Sequence, residues 1–367
     1  MKEHKITVLE SILPLFTMIG AIIIGGLFFP IGGELLIVVM LLSASVAGLV
    51  ARKYGHDWSD IQKSAGEKIA RALPAIIILL SIGMLIGTWM FSGTIPFLVF
   101  YGIQVINPQY MILTAFLITA VMSLTGSSWA AAGTIGVALV GVAIAIDAPV
   151  AATAGAVVSG AYFGDKLSPL SDTTNVCAIG AGANLYDHIK NMIYTAGPSF
   201  ILALIVYFIA GMTTDANTEL VDPSENPLLN ELDAIYNFNL LLLLPPLIVI
   251  SGTIKRFEAA LTMAISSLVA VIIGVTMHDF SVYNGLTSSI TGFNVSMIEG
   301  ITTNYSDPLL LLLNRGGVYS TSSTLVIIIA AFLLAGAMDV SGALEKLLYT
   351  MLKHVRSVFG LIAATMA

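Results

Sequence analysis

The feature that most constrains this chain of 367 residues is a long stretch without any charged side chain. From Ala72 to Ile146 there is no Asp, Glu, Lys or Arg. Soluble domains contain about 25% charged residues, whereas this chain has 10% charged and 57% hydrophobic residues. Such a stretch suits a chain whose solvent is lipid. The composition excludes soluble, disordered, collagen-like and disulfide-rich classes and predicts an all-α, polytopic membrane protein with the lipid bilayer as its partner.

Apolar runs long enough for transmembrane helices recur along the whole chain. The candidate spans are 9–29, 34–50, 72–91, 109–124, 129–146, 148–164, 193–212, 238–254, 258–277 and 318–338. If the N-terminus is cytoplasmic, all Lys and Arg residues except Lys166 and Arg315 fall on the cytoplasmic side. The positive-inside rule therefore predicts a multi-pass protein of the cell membrane with a cytoplasmic N-terminus and an external acidic loop at 213–237. The net charge of −7 offers no basic face for nucleic acid.

Two stretches come into register when the sequence is shifted by 249 positions, 85–93 and 334–342. The charge distribution gives these copies opposite orientations, which is typical of inverted-repeat transporters; a chance match between two glycine-rich apolar helices is the alternative. The predicted organisation is a first repeat over 1–212, the external loop, and a second repeat over 238–367. Ala367 maps onto Ile118, before the polar segments of the first repeat. We therefore expect the second repeat to be incomplete and the chain to hold half of an ion site.

Three of the four charges between Arg71 and Asp187 lie in one polar segment, an expected unwound break over 165–176. Pro169 favours this break because it removes a helical hydrogen-bond donor. The candidate ion-binding residues with side-chain oxygens are Asp165, Ser168, Ser171, Asp172, Thr173, Thr174 and Asn175. Several oxygen ligands suit a hard cation such as Na⁺. Asp172 is the first choice for the ion-binding acid and Asp165 the second, because Lys166 is adjacent. The alternative is a cytoplasmic loop in which Ser171 or Asp172 caps the next helix.

A second polar segment lies inside a predicted re-entrant hairpin at 109–146. Its tip is formed by Thr125, Gly126, Ser127 and Ser128. A helix that starts near Trp129 would offer free N–H groups, and the tip carbonyls and hydroxyls would support a cation site. A plain turn between two helices explains the same pattern equally well.

The segment 159–175 resembles the signature of the NhaC-type Na⁺/H⁺ antiporter family. The stretches 125–134 and 313–317 are similar to two further blocks of that family. The resemblance implies an ion transporter of two inverted repeats, each contributing a hairpin tip and an unwound helix to one central site. Residues 125–128 and 165–175 would then form half of that site. Members of the family also exchange malate for lactate, so the resemblance leaves an organic acid open as a substrate.

The predicted function is a secondary antiporter that moves Na⁺ out of the cell in exchange for H⁺. A buried carboxylate keeps its proton near neutral pH until a cation displaces it, so Na⁺ and H⁺ would compete for one acid. The transported ions are the only expected ligands; no cofactor is expected, and a homodimer is one open oligomeric state. Organic-acid exchange is the first alternative, although neither block has an arginine within the membrane. A channel would need a pore lined by rings of similar groups, which one chain with an inverted repeat does not suggest.

An enzyme is the alternative from a different class, because Phe163-Gly164-Asp165 resembles the Gly-Asp turn of an intramembrane aspartyl protease. That chemistry requires two acids that share a proton. Asp165 has no evident partner on another predicted span at the same depth, so the sequence favours a protein that is not an enzyme.

Overall fold

The computed structural model describes residues 6–124, 126–169, 171–213, 227–298 and 305–353. Over these residues the chain is helical, and its one β-type contact is an isolated bridge between Phe293 and Arg315. The helices are α1 (Val8–Phe28), α2 (Gly33–Lys53), α3 (Trp58–Phe91), α4 (Thr94–Val105), α5 (Met111–Ser123), α6 (Ser128–Ala131), α7 (Val137–Ala145), α8 (Val150–Leu167), α9 (Asp172–Gly180), α10 (Leu185–Met212), α11 (Pro227–Ile235), α12 (Leu244–Ile254), α13 (Ala259–His278), α14 (Val282–Thr291), α15 (Asp307–Leu313), α16 (Ser322–Val340) and α17 (Ala343–Leu352).

Seven helical stretches in the described part of the chain are long and apolar enough to cross a membrane. They are Val8–Phe28, Gly33–Lys53, Trp58–Phe91, Ser128–Ala145, Leu185–Met212, Ala259–His278 and Val318–Val340. Two bent helix pairs raise the number to nine if each pair is one span: α4 with the Pro108–Ser123 stretch (110°), and α11 with the Leu240–Ile254 stretch (94°). The all-helical, multi-pass architecture expected from composition is therefore confirmed. The candidate spans missed α4 and the first turns of α3, which begins at Trp58 rather than at residue 72.

The described helices divide into two compact units, the first of which contains the described residues within 1–76 and 321–367. Its α1 starts with a capping box. Thr7 Oγ1 accepts from the Glu10 backbone N–H, and the Glu10 carboxylate accepts from the Thr7 backbone N–H. Glu10 also pairs with Lys53 Nζ at 2.5 Å, which fixes the end of α2 beside the start of α1. Gly336 of α16 lies directly against the backbone of Ala65, so a side chain there would overlap it.

The second unit covers residues 77–320 and contains both polar segments singled out by the sequence. Its densest packing is between α5 and α8, because α8 presents Gly160 and Gly164 to α5. A Cβ atom at Gly160 would overlap the carbonyl oxygen of Phe116, and one at Gly164 would overlap that of Ala120. Small residues spaced four apart let helix backbones approach closely where lipid is the solvent. This contact positions the end of α8 beside the end of α5.

Candidate ion-binding site

The predicted break in the polar segment falls between α8 and α9. The helix ends at Leu167, and Ser168 adopts an extended conformation (φ −83°, ψ 125°) one residue before Pro169. Helical structure resumes at Asp172. Proline interrupts the helical hydrogen-bond ladder here, as the sequence predicts. The side chain of Asp172 lies outside the described part of the structure, so its role stays a prediction.

Asp165 is buried in the last turn of α8, with 4% of its surface exposed. The Thr173 hydroxyl donates to Asp165 Oδ2 at 2.7 Å, and Ser171 Oγ lies 3.0 Å from Thr173 Oγ1. Since the Thr173 proton is directed to the carboxylate, the Ser171 hydroxyl is the donor of the second bond. Lys166 Nζ donates to Thr173 Oγ1 at 3.4 Å, and among the described residues neither Lys166 nor Asp165 forms an ion pair. Lys166 therefore does not neutralise Asp165 by an ion pair in this structure, in contrast to what the sequence suggested.

The first turn of α9 is fastened to the break by two side chains. Thr174 Oγ1 donates to the Asp165 carbonyl at 3.0 Å. Asn175 Nδ2 donates to the carbonyls of Pro169 at 3.0 Å and Ser171 at 2.7 Å. The Asp165 and Ser171 carbonyls also accept from the backbone nitrogens of Ser168 and Asn175, so these side-chain bonds add to the backbone bonds and hold the break in place. Ser171 also occupies the cap position of α9, where its Oγ lies 3.5 Å from the Thr174 nitrogen, so capping and membership of the polar cluster coexist.

The hairpin tip is a tight turn between α5 and α6. Gly126 has φ +110°, a conformation that favours glycine. The Ser127 hydroxyl accepts from the Ala130 nitrogen at 3.1 Å and caps α6, whose first residue is Ser128. Thr125 lies outside the described residues. In the described part of the tip, Gly126, Ser127 and Ser128 make no hydrogen bond to the α8–α9 break, and the hydroxyl of Ser127 is used as a helix cap.

The two polar segments nevertheless meet through residues just before the tip. Ser168 Oγ of the break donates to the Leu124 carbonyl at 2.8 Å. Ser123 Oγ at the end of α5 donates to the Ala161 carbonyl on α8 at 2.5 Å. The sequence prediction included Ser168 but missed Ser123 and Leu124. Nothing in the local pattern marks a serine that bonds to another helix.

A π-helical turn at Ala132–Gly136 interrupts the second limb of the hairpin, between α6 and α7, and was also missed. Gly136 lies against Val157 of α8, where an added Cβ would be 2.5 Å from Val157 Cγ1. The Thr134 hydroxyl donates to the Ala130 carbonyl at 2.6 Å within the same stretch. Such turns are rare and frequently occur at functional sites.

A many-spanning helical protein with a buried carboxylate beside a break in one helix is typical of secondary transporters that couple ions. The profile of the Na⁺/H⁺ antiporter family matches residues 160–367. This chain belongs to the Na⁺/H⁺ antiporter family.

Three relatives show how far the similarity extends. The chain is 43% identical to an uncharacterized Na⁺/H⁺ antiporter of Haemophilus influenzae, over 98% of this chain and 76% of that relative. It is 32% identical to the Na⁺/H⁺ antiporter NhaC of Alkalihalophilus pseudofirmus, over 99% of this chain and 76% of the relative. It is 28% identical to the malate-2H⁺/Na⁺-lactate antiporter of Bacillus subtilis, over 89% of this chain and 68% of the relative. No solved structure matches the chain. All three names describe antiporters, which supports a transport function for this family member.

Proposed function

We propose that this protein moves Na⁺ out of the cell in exchange for H⁺, with Asp165 and the hydroxyl groups at the α8–α9 break as the ion-binding site. The observation that carries the proposal is the environment of Asp165. Its carboxylate is buried, its described side-chain partner is a hydroxyl group, and no described cation pairs with it. A carboxylate in that situation is stable when it holds either a proton or a bound cation.

This environment supports obligatory exchange of Na⁺ for H⁺. When Na⁺ arrives, an Asp165 oxygen binds the cation and releases its proton; when Na⁺ leaves, the oxygen takes a proton back. The Ser171 hydroxyl donates to Thr173 Oγ1 at 3.0 Å and, among the described residues, accepts only from the Thr174 nitrogen at 3.5 Å, so its oxygen keeps a lone pair for a cation. The Thr173 oxygen accepts from Ser171 and, at 3.4 Å, from Lys166, so it becomes a cation ligand when the Lys166 contact is released. Hard cations prefer such oxygen ligands. Both occupied states are electrically balanced, whereas the empty ionised state is unfavourable.

Asp172 remains part of the proposal as the acid that the sequence placed first. It begins α9, one residue before Thr173. The two acids make different predictions: the ion-binding acid is required for exchange, whereas an acid that only supports the start of α9 through its helix dipole contributes to stability. Comparing Asp165→Asn with Asp172→Asn assigns the role.

The test is proton movement in proteoliposomes that contain the full-length protein and a pH-sensitive dye. A pH gradient is imposed, and Na⁺, Li⁺, K⁺, malate or lactate is added in separate runs. We expect Na⁺ to dissipate the gradient in the wild type and not in Asp165→Asn. Asp187→Asn is the matched control, because Asp187 is an exposed acid in the first turn of α10. Wild-type Na⁺-dependent proton movement in Asp165→Asn would refute the site. Proton movement in response to malate or lactate without Na⁺ would refute Na⁺ as the transported substrate.

A further inference from the structure

A glycine-rich loop carrying Arg315 is inserted against α3. Gly317 N donates to the Gly83 carbonyl at 2.7 Å. Gly316 and Gly317 have φ values of +82° and +80°, which favour glycine. A Cβ at Gly316 would overlap the backbone of Gly87, so a side chain there would push the loop off the helix. The sequence of this loop therefore permits a close approach to α3.

The point of contact lies deep in the apolar part of α3. Gly83 comes 12 residues after Arg71, the last charged residue of that helix. At about 1.5 Å per residue this is roughly 18 Å, more than half of the roughly 30 Å hydrocarbon core. Arg315 is two residues from the Gly317 contact. A cation at this depth is costly and usually has a task.

Arg315 borders a cavity of about 380 Å³ and has no acidic partner in the described structure. The described residues that line the cavity are Thr291, Gly292, Phe293, Asn294, Met297, Asn314, Arg315, Gly316 and Ser320. Arg315 Nε donates to the Leu311 carbonyl at 2.6 Å, which orients the guanidinium group. The guanidinium stays charged because arginine does not lose its proton in proteins.

The two side-chain amides that line the cavity, those of Asn294 and Asn314, have unpaired donors. Asn294 Oδ1 accepts from the Ser296 nitrogen and Asn314 Oδ1 from the Val295 nitrogen, both at 2.9 Å. Each amide therefore has its Nδ2 group left over, and no described atom accepts from either. The hydroxyls of Ser320 and Thr291 already donate to the carbonyls of Gly317 at 2.7 Å and Thr287 at 3.1 Å.

We propose that this cavity binds a small monocarboxylate anion. The fork of the guanidinium fits the two oxygens of a carboxylate, and the amides of Asn294 and Asn314 add donors. Among the described lining residues Arg315 is the one cation, and it balances one negative charge. Phe293 and Met297 provide apolar lining for a short carbon chain. This inference goes beyond Na⁺/H⁺ exchange and does not depend on it.

The test is isothermal titration of the full-length protein in discs of zwitterionic lipid with lactate, acetate, inorganic phosphate and chloride. We expect lactate or acetate to bind more tightly than phosphate or chloride. Arg315→Gln should weaken this binding about ten-fold or more, because a hydrogen bond to a charged group is lost. Arg315→Lys should be intermediate. Arg52→Gln, an exposed arginine at the end of α2, is the control and should bind as the wild type does.

Asn314→Asp keeps the test decisive if Arg315→Gln does not fold. The aspartate retains an oxygen for the Val295 N–H but replaces the spare donor with a negative charge, so we expect binding to be lost. Unchanged affinity in a folded Arg315→Gln or Asn314→Asp protein would overturn the proposal. Phosphate or chloride binding as tight as lactate binding, or no carboxylate binding by the wild type, would overturn it too. The titration contains no Na⁺ gradient, so its outcome is separate from that of the exchange assay.

Discussion

The α8–α9 break and the Arg315 loop are two irregular segments of the same unit with opposite chemistry. Both are associated with close packing at glycines, Gly160 and Gly164 near the break and Gly316 and Gly317 in the loop. The break holds a buried carboxylate among hydroxyls, whereas the loop holds a guanidinium among amide donors. Glycines and interrupted helices thus indicate where polar groups are held in a membrane protein. The class of ligand follows from which of those groups are left without partners.

The largest expected effect is that substituting the charged residue of one segment abolishes the activity of that segment and leaves the activity of the other unchanged. Asp165→Asn should reduce Na⁺-driven proton movement at least about 100-fold, because the amide cannot exchange a proton for a cation. The same variant should bind lactate as the wild type does. Arg315→Gln should lose carboxylate binding. Parallel proteoliposome and titration measurements check this, and equal loss of both activities in both variants would show that the segments act as one site.

The second effect concerns the packing that positions the break. Gly164→Ala forces a Cβ into the Ala120 carbonyl, so we expect a loss of about 1–3 kcal/mol in stability. Gly155 is the matched control because it lies on the same helix with no atom within 4 Å of an added Cβ. Gly155→Ala should be neutral or stabilise by up to about 1 kcal/mol, since alanine favours the helix. Thermal unfolding in detergent measures both, and equal melting temperatures would contradict the packing argument.

The third effect is on ion affinity at the break. Thr173→Val removes the hydroxyl that donates to Asp165 while keeping the shape of the side chain. Because this threonine is exposed, we expect a modest loss, about five-fold in apparent Na⁺ affinity. Thr173→Ser keeps the hydroxyl and should stay near the wild type. The concentration dependence of Na⁺-driven proton movement tests this; a Thr173→Val protein with unchanged Na⁺ dependence would remove Thr173 from the proposed site.

The smallest effect is expected for a charge that belongs to neither segment. Asp339 of α16 forms an ion pair with Lys68 at 3.1 Å, and the side chain of Asp339 is 53% exposed. Exposed pairs contribute little, so Asp339→Asn should cost no more than about 0.5 kcal/mol and leave exchange intact. Thermal unfolding and the proteoliposome assay check this expectation. Loss of exchange in Asp339→Asn would mean that the compared segments do not contain all the charges that transport requires.

Much of the architecture followed from local patterns. The apolar runs predicted the helices because the cost of placing charge in lipid can be summed residue by residue. Pro169 predicted the interruption between α8 and α9 because its ring blocks the helical ladder regardless of context. The polar composition of 165–175 then indicated a candidate site. The repeat, the orientation and the role of Asp172 stay predictions.

By itself the sequence determined that the chain resides in a lipid bilayer, that it is helical, which family it belongs to and where one polar break lies. The tertiary structure decided the hydrogen-bond partners of the polar side chains. The Lys166 ammonium bonds to Thr173 rather than neutralising Asp165, and Ser168 reaches Leu124, 44 residues earlier. The charge distribution marked Arg315 only as one of two basic residues that do not fall on the cytoplasmic side, whereas the structure shows that Gly317 beside it bonds to Gly83. Hydrophobicity and helix breaking are properties of neighbouring residues, whereas a hydrogen-bond partner depends on which distant backbone the packing brings within about 3 Å.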